Sequence, residues 1–148
     1  MIELTVLGVP APQGSKSAVV RGGRAVLIEG ASTTGRQKHQ AWREAVAWQA
    51  RTAVLKHGPV DDDVPVRVSM TFWMPKPKSR PKRARWADRK PDLDKLQRST
   101  LDGLSDGGLV RHDSRVVEIV ASKRYAVGSQ PTGVVITVQV LDQETADA

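Results

Sequence analysis

From Val64 to Met74 the chain reads VPVRVSMTFWM, and Val66, Val68, Met70, Phe72 and Met74 fall on alternate positions. A period of two belongs to a strand with one buried face, so this stretch predicts a strand that lays five apolar side chains on a core. Ile2 to Val9 repeats the pattern more loosely and is stopped by Pro10 and Pro12, which cannot donate to a ladder. Ala18 to Glu29 predicts a hairpin turning at Gly22-Gly23, with Arg21 and Arg24 flanking the turn. Val116 to Val127 and Gly133 to Leu141 predict two long strands joined by a Gly-Ser-Gln-Pro-Thr-Gly turn region.

Between these strands the period changes. From Gly35 to His57, residues Trp42, Ala45, Val46, Gln49, Ala53 and Val54 trace one helical face, interrupted only by Gln49. Ser32, Thr33 or Thr34 is placed to cap the start, and Gly58-Pro59 ends the pattern. Trp42 reads as a core anchor, Trp48 lies off the stripe where it suits a subunit interface, and His39 and His57 are expected at the surface. A second helix is predicted from about Lys95, capped by Asp94, with Leu96, Thr100, Leu101 and Leu104 as its apolar stripe and Gly107-Gly108 as its stop. The element order predicts an α+β fold: one domain over residues 1–148, a mixed sheet with helices packed on one face, and a frayed tail from about residue 142.

Composition narrows the partners. A chain of 148 residues with 39% hydrophobic content is of ordinary size for a single core. The lack of cysteine excludes disulfides and thiolate metal sites, and the three histidines form no zinc motif. No apolar run resembles a membrane span or secretory signal, so a soluble, cytoplasmic protein with no membrane partner is expected. The net charge of +7 and a pI near 10.1 point to a polyanionic partner, nucleic acid or an acidic membrane surface.

That charge is concentrated. Residues 76–90, KPKSRPKRARWADRK, carry Lys76, Lys78, Arg80, Lys82, Arg83, Arg85, Arg89 and Lys90 against a single acid, with Trp86 among them. The composition reads as a flexible basic loop that holds a nucleic acid backbone and offers Trp86 for stacking, or else as a solvated loop. The Gly14-Ser15-Lys16-Ser17 segment fails the phosphate-loop spacing and reads as an exposed loop in which Lys16 touches a phosphate backbone.

The basic segment leads directly into carboxylates. Asp92 and Asp94 are two residues apart, which puts them on one side of an extended segment but roughly 200° apart on a helix. Pro91 favours the extended conformation for its surroundings. Arg98 follows Asp94 by one helical turn, and Asp113, after Leu109-Val110, is placed to return to the same pocket from the next element. Spaced carboxylates are the oxygen donors that a hard ion such as Mg²⁺ takes, and such ions activate water in phosphodiester cleavage. Each acid also has a plainer reading, as a cap, a solvated loop residue or a turn acid. Asp61-Asp62-Asp63 is a rival metal site or a solvated turn.

The pattern Asp92-Leu93-Asp94, Leu96, Arg98, Leu101-Asp102-Gly103-Leu104, Gly108-Leu109-Val110 and Asp113 resembles the core of the RusA-type Holliday-junction resolvases. In that family an Asp-Leu-Asp pair, a basic residue four positions later and a third Asp after a glycine-hydrophobic run form the active site. The resemblance implies catalytic roles for Asp92, Asp94, Arg98 and Asp113, with the three aspartates holding Mg²⁺ or a substituting Mn²⁺. It further implies branched, four-way-junction DNA as substrate, a homodimer and a bacterial or phage setting. The chain departs from the pattern at Arg98, where Lys is frequent, at Lys95, where Asn is common, and at His112, where an acid often stands. A flap or replication-fork nuclease using the same site, and a non-catalytic basic DNA-binding or packaging protein, are the alternatives.

Overall fold

The computed structural model describes residues 1–14, 16–21, 24–29 and 33–143, with side chains given for 1–14 and 34–143. In chain order the elements are β1 (Ile2–Leu7), β2 (Lys16–Arg21), β3 (Arg24–Glu29), α1 (Thr33–His57), β4 (Val66–Pro75), α2 (Leu93–Asp106), β5 (Val116–Ala126) and β6 (Gly133–Val140). Four strands form one mixed sheet in the order β1-β6-β4-β5. β6 is antiparallel to both β1 and β4, whereas β4 and β5 are parallel. A parallel pair requires a crossover, and residues 76–115 supply it through the basic segment, α2 and a 3-10 turn at Asp113–Arg115. β2 and β3 pair separately as the expected hairpin, from Lys16↔Glu29 to Arg21↔Arg24; its Gly22-Gly23 turn lies outside the described residues.

The alternation along β4 is realised: Val66, Val68, Met70, Phe72 and Met74 are all buried. With Leu4, Val6, Val134, Ile136 and Val138 they make the sheet's contribution to a core whose other side comes from Trp42, Val46 and Ala50 of α1 and Leu96 and Leu104 of α2. Trp42 is the anchor its position implied, and its indole Nε1 donates to the buried Thr100 Oγ1 at 3.2 Å. The two helices approach closely because Gly103 has no side chain: a Cβ there would lie 2.6 Å from Val46 Cβ. His39 does not lie at the surface as expected; it is buried on the face of α1 that carries Trp42. Its spacing of three from Trp42 places it on that face.

α2 begins earlier than its sequence suggests. Asp92, in extended conformation (φ −67°, ψ 140°), is the N-cap, and Leu96 N–H donates to the Asp92 carbonyl as the first helical bond. Asp94 is therefore not the cap but a residue of the first turn, so Asp92 and Asp94 do not share the side of one extended segment. At the other end Gly108 adopts φ +80°, its N–H reaches the Ser105 carbonyl, and Leu109 N–H reaches the Leu104 carbonyl. This is the Schellman closure, and it buries Leu109 against the core.

Candidate active site

The basic segment has no helix or long strand, yet it is attached to the sheet. Turns close at Arg80 N–H to the Pro77 carbonyl and at Ala84 N–H to the Pro81 carbonyl. Tyr125 N–H then donates to the Arg85 carbonyl at 2.8 Å and Ala87 N–H to the Lys123 carbonyl at 3.2 Å, covering the C-terminal part of the outer edge of β5. Ala87 is buried, so the segment supplies a residue to the core.

Lysines and arginines fan out from this framework. Lys78, Lys82, Arg83, Arg85, Arg89 and Lys90 are exposed. Lys76, partly covered, donates to the Lys82 carbonyl, and Arg80 pairs with Asp88 at 3.1 Å. Lost solvation, followed by the Arg85 and Arg80 charges, holds the Lys76 ammonium below its ordinary pKa. Trp86 is exposed, with the Arg124 guanidinium 4.5 Å from its ring centroid, a cation-π contact that leaves the indole at the surface. For Lys16 the structure gives only a backbone position in β2.

Lys123 fixes the exit of the segment. Its Nζ donates to the Arg89 carbonyl at 2.6 Å and the Pro91 carbonyl at 2.7 Å, and so sets where Asp92 emerges. No local signal marks this role, because the partners lie 34 and 32 residues away in the chain. Asp92, Asp94 and Arg98 are all exposed at the N-terminal end of α2, where aligned peptide dipoles favour negative charge. Lys95 approaches Asp92 at 3.9 Å.

Asp113 is elsewhere. It accepts a hydrogen bond from the Ser105 hydroxyl at 3.1 Å, near the C-terminal end of α2. At about 1.5 Å of rise per residue, the helix separates Ser105 from Asp94 by roughly 16 Å. A single chain thus does not bring Asp113 to Asp92 and Asp94, and among the described residues no three acidic or histidine side chains are grouped to hold a metal ion. The carboxylates around Asp113 have other partners. Asp106 is bound by Arg43, whose Nη2 donates at 3.0 Å, and this hydrogen bond holds the Asp106 carboxyl below its usual range. Burial pushes the Asp102 carboxyl up; Arg43 opposes the rise, while Asp113 and Asp106 reinforce it. In the rival acidic run, Asp62 is engaged by Arg111 at 3.0 Å.

A large cavity of about 1030 Å³ opens beside Asp92, between the 7–14 segment, the start of α1 and the Lys90–Asp92 approach. Sequence reading did not foresee it, since its walls come from five separate stretches. No helix among the described residues is long and apolar enough to cross a membrane.

An α+β domain that leads a dense cationic segment into exposed carboxylates at a helix start is a protein built to meet a polyanion. The particular family follows from comparison: the model described as Endodeoxyribonuclease RusA matches residues 8–139, and the chain belongs to this family of DNA-cleaving enzymes. The matched span takes in Asp92, Asp94, Arg98, Asp113 and the whole basic segment. No curated protein matches the chain.

Proposed function

We propose that the protein is a Mg²⁺-dependent endonuclease that resolves four-way DNA junctions as a two-fold homodimer, each active site drawing carboxylates from both protomers. The observation that carries this reading is the separation of Asp113 from Asp92 and Asp94 within one chain. The outer edge of β5 supports it. That edge is covered at Lys123–Tyr125 by the basic segment, whereas Val117, Ile119 and Val120 are 61%, 40% and 55% exposed. An apolar, unpaired strand edge is a template for a second strand.

Antiparallel pairing of two such edges about a two-fold axis carries the start of one β5 toward the end of the other. The partner's Asp113 then approaches the Lys123–Pro91–Asp92 corner. Asp92, Asp94 and a partner aspartate form an all-oxygen donor set of the kind Mg²⁺ or Mn²⁺ takes, and the ion supplies water activation and charge stabilisation. Arg98, one turn beyond Asp94, offsets charge on the scissile phosphate. A four-way junction has approximate two-fold symmetry, so paired sites related by the same symmetry match two opposed strands. The basic segment, including Lys82, Arg83 and Arg85, carries the phosphate contacts.

The test uses Asp92→Asn and Asp113→Asn chains, alone and co-purified, on labelled junction, flap and linear duplex with Mg²⁺. Each variant alone is inactive. A mixed dimer has one site that keeps all three aspartates, so the mixture recovers about a quarter of wild-type strand nicking, mostly as single nicks. A mixture as inactive as its parts would place the site within one chain. Wild-type protein that cuts none of the three DNAs would remove the nuclease reading.

A further inference from the structure

We propose that the cavity beside Asp92 receives one unstacked nucleobase of the bound DNA strand. The inference takes its ligand class from the nuclease reading above.

Two observations converge on it. The first is the lining: Val9, Pro10, Trp42, Met74, Pro75 and Pro91 give apolar walls of the kind that accept a flat ring. A volume near 1030 Å³ is at the upper end of small-molecule sites and has room for a nucleoside with water around it. The second is the rim. Arg36, Lys38, Arg89, Lys90 and Lys95 border the same cavity, so a base entering it draws its flanking phosphates onto cations. Asp92 is on that rim as well, which places the cavity next to the carboxylates rather than at a remote surface.

Tyr125, only 3% exposed, adds to the lining. Bases are extruded at low cost where the duplex is already interrupted, as at a branch point.

The experiment places 2-aminopurine at the nucleotides flanking the cut in a junction and follows its emission in EDTA, where no cleavage occurs. Binding of wild-type protein should change the emission at one of these positions and leave neighbouring ones at the duplex level. Ala41→Trp, at an exposed position on the cavity wall, should bind the junction within about twofold yet abolish that change. An emission change equal in wild type and Ala41→Trp, or none in either despite binding, overturns the proposal. So does an Ala41→Trp protein that loses its dimer in sedimentation, which would make a second copy of this chain the occupant. A wild type that shows the position-specific emission change but cuts no DNA supports the pocket and removes the nuclease reading.

Discussion

The Ser105 hydroxyl donates to Asp113 Oδ1 at 3.1 Å. The Val110 carbonyl lies 2.9 Å from the same hydroxyl and shares its single proton, so the carboxylate is tied to the turn that closes α2. A residue expected beside Asp92 and Asp94 is thus held at the opposite end of the helix that begins with them.

Replacing any one of the three carboxylates should stop cleavage without stopping binding. Asp92→Asn, Asp94→Asn and Asp113→Asn each remove a metal-ligand charge, and each also lessens repulsion of phosphate. Junction affinity measured by gel shift in EDTA should be equal to or higher than that of wild type. Full cleavage by one variant would remove that residue from the site.

The basic segment should act on every DNA shape alike. Lys82, Arg83 and Arg85 are exposed, and Arg85 is steadied by its bond to the Lys82 carbonyl at 2.6 Å. Replacing all three with Gln should weaken binding to junction, flap and duplex in parallel. Each lost phosphate contact should lower the slope of log affinity against log salt by about 0.9. A slope equal to that of wild type would make the segment a bystander.

Arg98 tests how charge is offset. A guanidinium stays protonated at any working pH, so its role is electrostatic and not proton transfer. Arg98→Lys keeps the charge and should retain substantial cleavage, while Arg98→Ala should lose about 10²-fold or more in rate at saturating Mg²⁺. The pH profile should keep its shape in Arg98→Lys. Wild-type rates from Arg98→Ala would leave the residue as a helix-surface charge.

Two aspartates on α2 should show opposite pH signatures in urea unfolding. Arg43 lowers the Asp106 pKa, so the contribution of Asp106 is present above the ordinary carboxylate range and is lost as pH falls through its depressed value. Asp106→Asn should cost up to about 1 kcal/mol at pH 7, because the pair is partly exposed, and nothing at the acid end. Burial raises the Asp102 pKa, so the stability linked to it is present below the ordinary value and lost as pH rises through the raised one. Asp102→Asn should gain slightly on wild type at pH 7 and match it in acid. The two curves sloping the same way would contradict one of the two assignments.

The sequence by itself determined the elements. Alternation along Val66–Met74 and the stripe Leu96, Thr100, Leu104 depend on neighbours two to four residues apart, and that is the range over which a strand or a helix repeats. It also marked the basic segment and the family's aspartates, because charge and spacing are written in the chain. The start of α2 was misplaced by two residues, since Asp92 and Asp94 are equally good caps and only the approach fixed by Lys123 selects between them. Tertiary structure alone decided the rest. The burial of His39, the close crossing at Gly103 and Val46, the cavity beside Asp92 and the distance from Asp94 to Asp113 all depend on how α1 and α2 lie across the sheet. Those contacts join residues far apart in sequence, and no local pattern encodes the angle at which two packed elements meet.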